Sequence, residues 1–196
     1  MDNNSNTPPR RLAILQAREK LASRPIYLDT ETTGLKSTDE IIEIAVVDDD
    51  GRVIYESLVR PSQPIPAEAS AIHGITNEDV QKARTWPVIW PTVRTNLICC
   101  EIGIYNADFD MRMMEQSHSR YRLPWREKES FKPFDIMKLY ALFKGEWDSF
   151  RKSYRYHSLD KAGKECNISI PNAHRAVADT LLARAVLHFI ADSDPG

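Results

Sequence analysis

One stretch restricts the folds open to this chain more than any other. Residues 40–61, "EIIEIAVVDDDGRVIYESLVRP", are two apolar runs either side of an Asp50-Gly51 turn signal. Such runs pair antiparallel as a hairpin. Two further apolar runs, "IYLDT" (26–30) and "ICCEIGIYN" (98–106), read as strands. Helical patterns precede the second of these and run on after it. A hairpin cannot be parallel, so a sheet containing it and these strands must be mixed. The expected class is α/β.

The helical patterns are several. Residues 8–24 read as an amphipathic helix with proline at its start and apolar Leu12, Ile14, Leu15 and Leu21. Residues 74–83 hold a short helix capped by Thr76, with Asp79 three positions on. "TWPVIWPTVRTNL" is expected to become helical after its prolines, and a further helix to begin near Asp108. Helices are also expected over 133–143, 158–166 and 176–191. Residues 1–7 read as disordered, and 118–158 is the least regular stretch. With no repeat and no linker, the chain divides into a tail and helix (1–24), one domain (25–191) and a short tail (192–196).

Composition removes several classes of function. No run of eighteen apolar residues is present, so no membrane span is expected. The polar N-terminus lacks the apolar core of a secretory signal. Three cysteines, with Cys99 and Cys100 adjacent, make neither a disulfide framework nor a zinc spacing. A reducing cytoplasm is the simplest setting. The formal net charge is −2, so an anionic partner would be held by a local basic surface or by metal.

Strand side chains alternate, so Asp29 and Glu31 share a face at the end of an apolar strand. Two like charges there repel, and a hard divalent cation relieves the repulsion. An exposed strand end is the plainer alternative. Residues 103–114, "GIYNADFDMRMM", run from a buried strand into a helix, with Asp108 read as the cap and Asp110 as the inward carboxylate. Ligands of open α/β sheets gather at the carboxyl ends of strands, where both segments fall. In "PNAHRAVADT" (171–180), His174 and Asp179 lie five positions apart, about 140° around a helix. They converge if Pro171 and Asn172 mark an entry loop that holds His174 while Asp179 sits in the helix. Asp179 would then interrupt an apolar face of Ala176, Val177, Leu181 and Ala183.

"LDTETTG", "IHGIT", "NADFD" and "HRAVAD", in that order over residues 25–191, resemble the DEDDh, or DnaQ-like, family of 3′–5′ exonucleases. That family includes the epsilon proofreading subunit of bacterial replicative DNA polymerase and ribonuclease T. The resemblance implies a ribonuclease-H-like mixed five-stranded sheet flanked by helices. It implies that Asp29, Glu31, Asp110 and Asp179 hold two divalent cations, Mg²⁺ or Mn²⁺, with His174 as general base. Thr30, Thr32, His73 and Phe109 would surround the terminal nucleotide. The family often has His-Asn where this chain has Tyr105-Asn106, a position outside the implied catalytic set.

Phosphodiester hydrolysis needs an activated water and a stabilised leaving oxygen, which a pair of cations about 4 Å apart supplies. An ordinary imidazole titrates near 6.5, so a histidine base implies activity rising through about pH 6–8. The expected substrate is the 3′ end of single-stranded DNA, with RNA the other candidate, and the products are nucleoside 5′-monophosphates. A DNA polymerase or a second copy of the chain is a candidate partner. Two stretches, 118–132 and 143–158, mix cations with aromatics, as single-strand binders do and as ordinary charged surfaces also do. Two competing readings share the fold: a catalytically silent binding module, and a two-metal endonuclease or transposase.

Overall fold

Six strands form one sheet: β1 (Ile26–Thr32), β2 (Ile41–Val47), β3 (Val53–Arg60), β4 (Arg84–Thr85), β5 (Glu101–Ile104) and β6 (Lys132–Asp135). Their order is β4-β3-β2-β1-β5-β6. The computed structural model describes residues 8–127, 129–169 and 174–194; the stretch 1–7, Pro171 and Asn172 lie outside these. Among the described strands of this sheet, β2 runs against the rest. The five strands the family pattern implies are therefore present, and the two-residue β4 extends the edge beyond β3.

The hairpin closes where expected: Asp48 accepts the Gly51 N–H at 3.0 Å, and Gly51 takes φ 84°, a region that favours glycine. β2 is buried throughout, including Glu43 inside its apolar run. Register pairs Asp29 with Ala45 and Glu31 with Glu43, then slips between Glu31 and Thr32. Such bulges bend a strand end and re-aim its side chains.

Eight helices flank the sheet among the described residues: α1 (Pro9–Ala22), α2 (Ala67–His73), α3 (Asn77–Val80), α4 (Trp86–Leu97), α5 (Ala107–Arg120), α6 (Ile136–Lys144), α7 (Leu159–Glu165) and α8 (Ala176–Asp192). Alternation along β1 splits the core. Tyr27 packs with α1, α6 and α8, whereas Ile26 and Leu28 pack with α4 and α5. β1 is thus hydrogen-bonded on both edges and covered on both faces. Gly103 of β5 opposes Tyr27, and a Cβ there would meet Tyr27 and Phe134 side-chain atoms at 2.9 Å.

α1 packs on the domain through Ala13, Ile14 and Ala17, and Arg18 donates to the Ala191 carbonyl at 2.8 Å. Leu15, assigned to the apolar face from sequence, is 48% exposed. α3 has the expected reciprocal cap between Thr76 and Asp79. No helix of the described residues is long and apolar enough to cross a membrane.

Several boundaries differ from expectation. Residues 133–143 are not one helix: β6 occupies 132–135, and the Asp135 side chain then caps α6 by accepting the Lys138 N–H at 3.2 Å. β6 pairs with β5, and its Pro133 sits in a parallel edge strand, where a missing donor is tolerated. β5 covers 101–104 only, because Cys99 turns at φ 68°. α4 begins at Trp86, before its prolines, since Pro87 falls in the first turn where no N–H is needed. Within 118–158 lies an unforeseen small hairpin of β7 (Trp147–Asp148) and β8 (Ser153–Tyr154).

Candidate active site

The carboxyl ends of β1 and β5 meet the start of α8. Asp29 and Glu31 project from β1 toward the α8 face, as strand alternation requires. Asp179 reaches them from the first turn of α8. Each of the three offers an oxygen, and these oxygens lie within 4.8 Å of one another. An all-oxygen set this close, without thiolate or imidazole, matches the preference of Mg²⁺ or Mn²⁺ rather than Zn²⁺.

Asp110 arrives from the opposite face. It is 2% exposed on α5 and accepts the Thr30 hydroxyl at 2.6 Å. Thr30 points away from Asp29 by the same alternation, which is why Asp110 flanks the tight triad instead of completing it. Its charge still bears on Asp29, second only to burial.

Electrostatics show how costly the cluster is without counter-charge. Burial, then Asp110 and Glu31, push Asp29 well above the ordinary carboxyl range. Burial, then Asp179 and Glu43, push Glu31 up to about 8 from 4.5. Burial pushes Asp110 up to about 7, against the lowering effect of the Thr30 hydroxyl. Asp179 is also raised by burial, against the His174 N–H. Burial and uncompensated like charges explain all four directions.

His174 sits before α8, in the left-handed region at φ 64°, so the loop-then-helix geometry that convergence required is present. Its backbone N–H donates to Asp179 Oδ1 at 3.2 Å, and its ring Nε2 lies 3.8 Å from Asp160 Oδ2. The side chain is 47% exposed.

The carboxylates stand between two cavities. One, of about 510 Å³, is lined by Glu31 together with Thr30, Thr32, His73 and Phe109. All four residues assigned to the terminal nucleotide thus share one pocket. His73 Nδ1 accepts the Ile75 N–H at 3.0 Å, which puts the ring proton on Nε2. Nε2 is buried and has no hydrogen-bond partner among the described residues. The other cavity, about 300 Å³, is lined by Asp29, Asp179 and His174 with Tyr105, Asn106 and His157.

Asp108 is not the cap of α5. Asn106 occupies that position at φ 69°, and Asp108 is exposed and paired with Lys138 at 2.8 Å. Tyr105, the departure from the family pattern, donates its hydroxyl to the His157 carbonyl at 3.0 Å. It ties the end of β5 to the segment leading into α7.

Sequence reasoning missed Glu43 and Arg175. Glu43 is 1% exposed, opposite Glu31, and accepts the Arg175 guanidinium (Nε at 3.1 Å) and the Ala176 N–H at 2.9 Å. It therefore anchors the first turn of α8, which carries Asp179. A charge inside the otherwise apolar "IIEIAVV" was the available signal.

A model of the RNase_T exonuclease family matches residues 26–187. An uncharacterized exonuclease, CP81, of Escherichia phage 186 is 39% identical over 183 residues, covering 90% of this chain and 92% of its own length. A DNA polymerase III subunit epsilon-like protein of Rhodobacter capsulatus is 31% identical over 175 residues, covering 84% of this chain and 23% of the relative. Among solved structures, exonuclease X in complex with 5′-overhanging duplex DNA aligns with a TM-score of 0.61 at 27% identity, covering 86% of this chain and 92% of that one. Exonuclease I aligns with a TM-score of 0.69 at 20% identity, covering 87% and 41%, which is a match of fold.

Proposed function

We propose, from the premise that this chain belongs to the RNase_T exonuclease family, that it shortens single-stranded DNA from the 3′ end and releases nucleoside 5′-monophosphates. The enzyme is a nuclease of the DnaQ-like 3′–5′ class. The observation that carries the finer reading is the convergence of Asp29, Glu31 and Asp179 between two cavities.

In this reading Asp29, Glu31, Asp110 and Asp179 would hold two divalent cations, Mg²⁺ or Mn²⁺, with Asp110 reaching the cluster from the α5 side. When bound, such ions supply Lewis acidity at the phosphoryl group and lower the pKa of the attacking water. The remaining work belongs to side chains of this chain. Phe109 offers a stacking face to the terminal base in the larger cavity, whose wall His73 shares. Thr30 and Thr32 line the same wall. His174, at the edge of the smaller cavity with its ring Nε2 3.8 Å from Asp160 Oδ2, accepts the water's proton. The half-exposed ring has room to turn toward substrate.

DNA is the favoured substrate because the relatives include polymerase III proteins and a DNA-bound exonuclease. RNA is tested in parallel, since one aligned structure is a 3′-exonuclease that recognises histone mRNA.

The test is a 5′-labelled single strand, as DNA and as RNA, incubated with Mn²⁺ or Mg²⁺. A ladder shrinking one nucleotide at a time, absent for Asp29→Ala, is expected. Internal cuts would show an endonuclease. Equal activity of wild type and Asp29→Ala would remove the carboxylate cluster from the chemistry.

A further inference from the structure

The β7–β8 hairpin plays no part in the site described above, yet it is built as a projecting element. The Asp148 carboxylate accepts the N–H groups of Phe150 and Arg151 at 3.0 and 3.1 Å, which fixes the turn. Trp147 and Tyr154 pack edge to face across the strands at 5.3 Å. The Arg155 N–H then donates to the Glu146 carbonyl at 2.8 Å and closes the base. Phe150 at the tip is 95% exposed and Trp147 57%. Arg151, Lys152 and Arg155 surround them, all exposed. Apolar rings held in solvent by an ordered turn, among cations, fit a stacking surface better than a core that failed to close.

Position supports this. A groove of about 630 Å³ separates β8 and the residues after it from α1 and α6. Consecutive residues line it and the smaller active-site cavity: Tyr156 lines the groove and His157 the cavity, while Lys138 lines the groove and Met137 the cavity. With the terminal nucleoside in the 510 Å³ pocket, the rest of the strand must leave the carboxylates on the opposite side, toward this groove.

We propose that the hairpin and its groove form a second, non-catalytic site for single-stranded nucleic acid, gripping the strand several nucleotides upstream of the scissile bond. The proposal rests on the nuclease reading. Its charge logic follows from the whole chain: a net charge of −2 and an acidic centre give no general attraction, so the grip on phosphates is local. A protein partner or a second copy would bury the same rings without needing the cations.

Binding is measured by fluorescence anisotropy with labelled dT3 and dT15, in Mg²⁺, using the Asp29→Asn background so that nothing is cut. Phe150→Ala should weaken dT15 binding at least about fivefold, the lower end of what losing one stacked base costs, and leave dT3 unchanged. Arg151→Ala combined with Lys152→Ala should flatten the slope of log K against log salt by about 1.4, roughly 0.7 for each phosphate no longer neutralised. With Asp29 restored, both variants should hydrolyse the p-nitrophenyl ester of thymidine 5′-monophosphate at the wild-type rate. Unchanged dT15 affinity in an enzyme that cleaves the ester overturns the hairpin site alone. So does a shift in oligomeric state on Phe150→Ala with nucleic-acid affinity intact. A wild-type protein inert toward ester and oligonucleotide overturns the nuclease reading and this proposal together.

Discussion

Replacing Glu31 by glutamine should make the metal-free protein more stable at alkaline pH while abolishing its activity. Glu31 is pushed up to about 8 from 4.5 by burial and by Asp179 and Glu43. The folded state therefore keeps this proton after the unfolded chain has lost it. Stability from this group is intact below about pH 4.5, falls as pH rises, and reaches its floor above about pH 8. The gap between 4.5 and about 8, at about 1.4 kcal/mol per pH unit, comes to roughly 5 kcal/mol. Glu31 faces solvent in part, and screening reduces the figure to about 2 kcal/mol. A domain of this size moves about 2–4 °C per kcal/mol. In chelator, Glu31→Gln should melt with wild type at pH 4.5 and roughly 4–8 °C above it at pH 8.5. Buried His73, His118 and His157, whose pKa values are lowered chiefly by burial, gain stability as pH rises toward 6.5. That background is common to both proteins and cancels in the comparison. Saturating Mg²⁺ or Mn²⁺ should raise wild type most at pH 8.5 and the variant less. A variant that melts below wild type at pH 8.5 in chelator would refute the argument that the carboxylates repel one another in the metal-free fold.

Three further substitutions probe other links. Glu43→Gln weakens the charged hold on Arg175 and should cost about 2 kcal/mol in urea denaturation, with kcat down at least tenfold because the first turn of α8 loosens. Wild-type kcat would show that Asp179 is placed without it. Gly103→Ala should cost about 1–3 kcal/mol, read as a lower melting midpoint, since its methyl collides with Tyr27 and Phe134. In single-turnover assays wild-type activity should rise through about pH 6–8, and His174→Gln should lose that limb along with most of its rate. A flat wild-type profile would exclude a histidine base.

Local rules reached a good part of this molecule. Alternation put Asp29 and Glu31 on one face, and the Asp50-Gly51 turn announced the hairpin. The angle between His174 and Asp179 demanded a loop-to-helix break, and one is there. What local rules missed depended on distant partners. β6 is a strand because β5 lies beside it, a fact that "KPFD" does not contain. Asp108 had the chemistry of a cap, but Asn106 tolerates the left-handed backbone that the strand-to-helix corner requires. Asp110 looked equivalent to the other carboxylates, and only the layering shows that it approaches from beneath the sheet. Glu43 needed the register of β1 on β2 before its place opposite Glu31 had meaning.

Holding β1 by both edges and both faces separates two kinds of motion. Around Asp29 the ladder to β2 must open before amides exchange with deuterium, whereas the His174 N–H lies outside any ladder, bonded to the Asp179 carboxylate. The two carboxylates of β1 thus stand on a laddered strand, and His174, the proposed proton acceptor, stands just outside a helix. In the proposed mechanism, warming should therefore blunt proton transfer before it disturbs the anchoring of the acids.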